Sequence, residues 1–155
     1  MIDEKAVRQL IDRAAISDVV TAYATAVDTQ DWDLFRSLFM DRLHLDFSTF
    51  HPSLKRDLSI DELLDITKKM AGFDATQHLS TNHRHTIEGD RATCVSYMHA
   101  GHFMTRDGKK YACFLYGYYT YGLQRAGEGW KIDSYGLTVT AEYGDPRVFE
   151  WAGLR

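Results

Sequence analysis

The sequence predicts an α+β fold in which a group of helices precedes an antiparallel sheet. Up to Gly72, apolar residues recur mainly with helical spacing, whereas the chain from Thr76 onward divides into β-rich runs separated by glycine-containing turns. Helices first and strands afterwards favour α+β over a doubly wound sheet. A sheet that curves around the helices would form a cone with a pocket inside.

Length and composition indicate one domain, residues 1–155, of 17.8 kDa. A net charge of −4 argues against a nucleic-acid-binding protein, which usually carries a basic face. There is no apolar run long enough for a membrane span and no core of a signal peptide. We therefore expect a cytoplasmic protein with Cys94 and Cys113 reduced.

The helical part is predicted to contain three helices. The first has an apolar face at three-to-four spacing, and a short second helix follows from Asp31, a plausible N-cap, to Phe39. The third begins with a capping box between Ser59 and Glu62 and ends at Gly72. The predicted face of the first helix consists of Val7, Leu10, Ile11, Ala14, Val20, Ala24 and Val27.

Alternating residues predict one strand at 43–48, and the turns predict four long strands later. The long strands are 77–87, 91–105, 109–125 and 130–142.

Several polar residues fall on predicted apolar faces. Asp28 ends the first helix, His78 and Asn82 share one side of the first long strand, and His102 lies on the inward side of the next. A carboxylate is costly in a core unless it is paired, and an imidazole bound to it is a competent general base. A second histidine across the pocket could act as a general acid.

Four segments carry a family resemblance: VDTQDWDLFR at 27–36, LHLDFSTF at 43–50, Thr76-Gln77-His78, and the Gly129-Trp130-Lys131-Ile132 run. They resemble scytalone dehydratase and, more widely, the SnoaL-like, nuclear-transport-factor-2-like superfamily. The resemblance spans roughly residues 10–140. It implies a cone of strongly bent mixed sheet that encloses a pocket, with helices over its mouth.

The resemblance also implies roles for three residues. Asp28 would orient His78, and His78 with His102 would remove a proton and deliver one to the leaving group in a syn elimination of water. Bile acid dehydratases and hexachlorocyclohexane dehydrochlorinase are similar in plan. The bile acid enzymes keep a tyrosine on the first helix, for which Tyr23 is the candidate here.

The chain also departs from the scytalone dehydratase pattern. Val27 and Phe47 replace two tyrosines, and Gly117 and Tyr119 stand where a serine and an asparagine are expected. A pocket without those polar groups cannot hydrogen-bond the same phenolic substrate. We therefore expect scytalone itself to be a poor substrate.

Aromatic and apolar residues of the predicted pocket, together with the polar Asn82, would bind substrate. The C-terminal Phe149 and Trp151 would either cover it or pack on the exposed helix. The complete predicted set is Tyr23, Trp32, Phe47, Asn82, Met98, Tyr119, Phe149 and Trp151.

His83, His85 and His99 have the opposite strand parity to His78 and His102, so we expect them to face outward or an interface. A metal site is disfavoured because no cysteine or carboxylate lies beside them at zinc-like spacing. No metal and no cofactor are expected.

These features predict a cofactor-independent lyase of the dehydratase type, or an isomerase, that acts on a small hydrophobic cyclic molecule. The alternatives are a polyketide-cyclase-like enzyme, a non-catalytic ligand-binding or accessory protein, and a structural dimer. A homodimer or homotrimer is expected, with neither nucleic acid nor membrane as a partner.

Overall fold

The computed structural model describes residues 2–155. The chain enters with helices and continues into long strands, so the predicted α+β class is confirmed. A turn of 3-10 helix at Lys68–Gly72 extends the third helix to its predicted end. The elements are α1 (Glu4–Thr29), α2 (Trp32–Ser37), β1 (Phe39–Asp46), β2 (Lys55–Ser59), α3 (Ile60–Thr67), β3 (Ala75–Glu88), β4 (Arg91–Arg106), β5 (Lys109–Ala126), β6 (Gly129–Gly144) and α4 (Arg147–Trp151).

The six strands form one mixed sheet in the order β2-β1-β6-β5-β4-β3. The β1 and β6 strands run parallel, and every other neighbouring pair is antiparallel. The sheet is curved and does not close, which confirms the predicted cone. Strand β2 was not predicted, because only Leu58 of its five residues is buried and its formation depends on pairing with β1.

In the first half of helix α1, the side that packs on the sheet differs from the predicted apolar face. Val7, Leu10, Ile11 and Ala14 are exposed, so this half of the predicted apolar face is wrong. The buried side follows an i, i+4 row that starts at a carboxylate, which an apolar pattern cannot indicate. Its buried residues are Asp12, Ile16, Val20, Tyr23, Ala24, Ala26 and Val27.

Local signals at the helix ends are confirmed. The Asp31 carboxylate accepts a hydrogen bond from the Leu34 N–H at 2.9 Å and caps α2. Ser59 and Glu62 form both hydrogen bonds of the predicted capping box at the start of α3. Within residues 2–155, no helix is both long enough and apolar enough to cross a lipid bilayer.

A bulge in β3 changes which side chains face the inside of the cone. The β3–β4 register shifts between Thr81 and Arg84, and Asn82 takes a left-handed conformation with φ of 55°. Before the bulge His78 points inward, whereas after it His83 and His85 do. An extra residue in a strand reverses the alternation of its side chains, which accounts for this change.

Gly117 lies where β5 and β6 approach too closely for any larger residue. A Cβ at this position would lie 1.9 Å from the Thr138 carbonyl oxygen. The departure from the family serine at this position is therefore required by the local backbone.

Candidate active site

A carboxylate–imidazole pair lies at the junction of α1 and β3. His78 Nδ1 donates to Asp28 Oδ1 at 2.7 Å, and the His78 backbone N–H donates to Oδ2 at 2.7 Å. The Thr76 hydroxyl donates to Oδ1 at 2.9 Å. The end of α1 places the Asp28 carboxylate beside β3. Thr76 and His78, two residues apart on this strand, point to the same face and both donate to it. The contact expected between Asp28 and His78 is therefore present.

The surroundings of Asp28 keep its carboxylate ionised. Burial would raise its pKa, but the hydrogen bonds from the His78 ring and backbone and from Thr76 lower the pKa below its ordinary value. The His78 side chain is only 4% exposed. With Nδ1 held by the carboxylate, Nε2 is the nitrogen left to face a substrate.

His102 lies next to His78 inside the cone. The two ring centroids are 5.5 Å apart and the rings are nearly perpendicular. Phe73 and Phe149 pack on His102 at centroid distances of 5.1 and 4.7 Å. Burial, together with the nearby His78, lowers the pKa of His102 to about 3. His102 is therefore neutral in the folded protein near neutral pH.

The burial of His102 should make folding stability depend on pH. An unfolded chain protonates His102 below its ordinary pKa of 6.5, whereas the folded chain does not until about pH 3. Folding stability should therefore fall as the pH drops through this window, by about 1.4 kcal/mol per pH unit from this group. Urea unfolding at pH 7 and pH 5 measures the loss. His102→Phe should be less acid-sensitive than the wild type, and His99→Phe should not; equal sensitivity of all three would contradict the pKa.

An apolar cavity of about 80 Å³ opens beside the two histidines. Drug-sized ligand sites are larger, at about 300–1,000 Å³, so only a compact ligand fits without movement of the wall. Asp28 lies behind His78 and does not line the cavity. The lining consists of Tyr23, Val27, Phe47, Phe50, Leu54, Ile66, Thr67, Met70, His78, Ala100, His102, Leu115, Tyr119, Leu137, Phe149 and Leu154.

Half of the predicted substrate-binding residues line this cavity: Tyr23, Phe47, Tyr119 and Phe149. The other four do not. Trp32 packs on Phe35, and Met98 is buried elsewhere in the core. Asn82 is exposed because it forms the β3 bulge. Trp151 packs on Tyr111 and the side chain of Arg106.

Part of the cavity wall could not be predicted from the sequence. Phe50 and Leu54 lie in the segment between β1 and β2, where no periodic pattern exists to orient them. Ile66 lies in α3 and Met70 in the 3-10 turn after it, and their spacing indicates a buried side but not a cavity. Leu154 follows α4 and could not be placed without the fold.

The other three histidines of β3 and β4 divide between the two faces of the sheet. His99 stacks on Tyr116 of the outer face at 4.7 Å between centroids, as its parity predicted. The prediction that His83 and His85 face outward is wrong, because the β3 bulge turns both towards α1 and its Ser17 hydroxyl.

The fold and the site together define a cone-shaped α+β protein with an Asp–His pair at an internal cavity. A model of the SnoaL-like domain matches residues 8–136, and the chain belongs to this family. No curated protein matches its sequence.

Solved structures agree with this assignment. Kfla4162 of Kribbella flavida is 26% identical, with a TM-score of 0.82 over 94% of this chain and 99% of that one. A protein of Novosphingobium aromaticivorans, provisionally named an aromatic ring hydroxylase, is 27% identical, with a TM-score of 0.79 over 92% and 97%.

Proteins named for elimination reactions share the fold. A structure from Novosphingobium aromaticivorans, provisionally named a scytalone dehydratase, has a TM-score of 0.75 at 18% identity over 88% of this chain and 89% of its own. Hexachlorocyclohexane dehydrochlorinases are similar at 15 and 16% identity. These similarities show the fold alone.

Proposed function

We propose that the chain is a cofactor-independent lyase of the dehydratase type, or an isomerase, acting on a compact, largely apolar ring. The observation that carries the proposal is the 2.7 Å contact between Asp28 and His78, with His78 at the wall of an apolar cavity. Perturbed, paired titratable groups in a pocket mark candidate active sites. The elimination enzymes among the structural neighbours support the reaction class.

His78 would act as the base. Its Nε2 takes a proton from a carbon next to a carbonyl group, and the electron pair of that C–H bond forms a C=C bond. In an elimination, the bond from the neighbouring carbon to hydroxyl breaks, and the imidazolium of His78 returns its proton to the leaving oxygen as water. In an isomerisation, the proton returns to a different carbon. Asp28 stabilises the imidazolium in both cases.

His102 and Tyr23 would hold the substrate rather than exchange protons with it. Because burial keeps His102 neutral, its ring can donate or accept a hydrogen bond but supplies no imidazolium proton near pH 7. Burial, with a smaller contribution from Asp28, raises the pKa of Tyr23 to about 12, so its hydroxyl is a neutral donor. A neutral donor suits the oxygen of a carbonyl group that gains charge in the transition state.

The test is proton exchange and elimination by the wild-type protein. Cyclic ketones, cyclic β-hydroxy ketones and halogenated rings are incubated with the protein in D₂O. Deuterium entry next to the carbonyl is followed by NMR, and release of water or halide by product analysis. We expect exchange or elimination with at least one compact ring, and its loss in His78→Ala.

A matched control exists on the surface. His44 Nδ1 and Asp57 Oδ1 are also 2.7 Å apart, but the two side chains are 47% and 75% exposed. His44→Ala should leave the activity unchanged. A ring that binds tightly to the wild type without exchange or elimination across the panel would instead favour the ligand-binding alternative.

The homodimer or homotrimer expected from the sequence stays a prediction. Leu79, Tyr97, Phe103 and Tyr116 are exposed on the outer face of the sheet. Substitution of these four residues by polar ones, followed by measurement of the oligomeric state, would test whether two copies associate through this face.

A further inference from the structure

Two histidines and a cysteine meet between α1 and the β3–β4 edge, outside the cavity. The β3 bulge turns His83 and His85 towards α1. Cys94 of β4 is the register partner of His85, so their side chains share a face. One ligand atom from each residue lies within 4.8 Å of the other two. None of the three lines the candidate active site.

Hydrogen bonds hold the two imidazoles in place. The Ser17 hydroxyl lies 2.9 Å from His85 Nε2 and 3.0 Å from His83 Nδ1, and the Ser80 hydroxyl lies 3.1 Å from His83 Nε2. His85 Nδ1 is buried, with no hydrogen-bond partner in the part of the chain that the structure describes. A buried ring nitrogen without a partner is unfavourable unless something binds it.

Ser17 orients the His85 ring in the way that metal-binding histidines are usually oriented. A metal-binding histidine usually donates its other ring N–H to an oxygen, which fixes the ring and directs the free lone pair at the ion. If His85 Nε2 donates to Ser17, the lone pair of its buried Nδ1 is free. The same hydroxyl oxygen can also accept from His83 Nδ1–H, and the ion would then take the lone pair of His83 Nε2 in place of the Ser80 hydroxyl proton.

We propose that His83, His85 and Cys94 bind a zinc-like divalent cation, with water in the fourth position. Two imidazoles and a thiolate are a donor set that suits zinc in tetrahedral geometry. At bond lengths of about 2.0–2.3 Å, tetrahedral ligand atoms lie roughly 3.5 Å apart, so separations of up to 4.8 Å must close by up to about 1.3 Å. The ion would join the β3 edge to β4 beside α1.

Protonation of the free site is compatible with this proposal. Burial lowers the pKa of both His83 and His85, so both are neutral ligands near pH 7. Burial raises the pKa of the Cys94 thiol to about 11. Binding must therefore release one proton, as Cys–SH becomes a metal-bound thiolate. Arg13 is the charged neighbour of His85 and opposes a cation.

The test is a titration of the full chain with Co²⁺ after treatment with a chelator. Wild-type protein should bind one Co²⁺ per chain and develop the near-ultraviolet band of a thiolate–cobalt bond. Zinc should displace the cobalt and raise the melting temperature. Cys94→Ala should abolish the band, and His85→Ala should weaken binding at least tenfold. His99→Ala, which removes a histidine from the outer face, should bind like the wild type.

Two outcomes would overturn the proposal. The first is a wild-type protein that shows neither the band nor a zinc-dependent rise in melting temperature; this result needs no variant and holds even if the substituted chains fail to fold. The second is a band that persists in folded Cys94→Ala. The elimination assay is independent of both outcomes. Failure of the metal site would leave the proposed function intact, and failure of the elimination assay would leave the metal site intact.

Discussion

Asp28→Asn is expected to lower the rate of exchange or elimination by about 10⁴-fold. In enzymes with a Ser-His-Asp triad, loss of the carboxylate that orients the catalytic histidine lowers the rate by about this factor. The carboxylate accepts from His78 Nδ1, from the His78 backbone N–H and from Thr76. An amide has one oxygen for these donors and presents an N–H₂ group in place of the other. The ring would then favour the tautomer with the proton on Nε2, which cannot accept a proton from substrate.

Steady-state rates of wild type and Asp28→Asn on the same ring measure this effect. Asp57→Asn removes the same type of carboxylate from the exposed pair with His44 and should change the rate less than twofold. Circular dichroism and melting temperature show whether Asp28→Asn keeps its fold. A folded Asp28→Asn protein with a rate within tenfold of wild type would remove Asp28 from the mechanism.

Much of the fold could be predicted because its signals are local. A capping box uses residues three apart, and a glycine turn between alternating runs specifies a hairpin within a few residues. The Asp28–His78 contact joins residues fifty positions apart, and apolar periodicity alone did not indicate it. The family resemblance in residues 27–36 and at Thr76-Gln77-His78 placed the two together.

Features that depend on pairing across the sheet could not be predicted. The bulge at Asn82 inserts one residue relative to β4, and neither strand alone carries that information. Every residue after it in β3 is therefore on the opposite face from the one predicted, which is why His83 and His85 were placed outward and Asn82 inward. Cys94 lies beside His85 because of the register between β3 and β4. Their separation of nine positions in the chain does not indicate this contact.

A buried carboxylate on α1 was also missed, because an apolar pattern gives no weight to an aspartate. Asp12 is 5% exposed and lies at the start of the buried row of α1. Its two oxygens accept from Arg125 Nη1 and Nη2 at 2.9 and 3.0 Å, and Oδ1 also accepts from Trp130 Nε1 at 3.2 Å. The hydrogen bonds from Arg125 and Trp130 lower the pKa of Asp12 despite its burial. The pair fastens α1 to the β5–β6 hairpin.

Asp12→Ala should therefore destabilise the protein by about 3 kcal/mol, since it removes the acceptor that Arg125 Nη1 and Trp130 Nε1 share inside the protein. Arg125 keeps its second partner, Asp90, at 2.8 Å, which limits the loss. For a chain of this length, the loss corresponds to a melting temperature lower by about 6–12 °C. Asp18→Ala makes the same change at an exposed position of the same helix and should shift stability by less than about 0.5 kcal/mol. Urea unfolding of both variants beside wild type measures the difference; equal stabilities would mean that Asp12 does not hold α1 on the sheet.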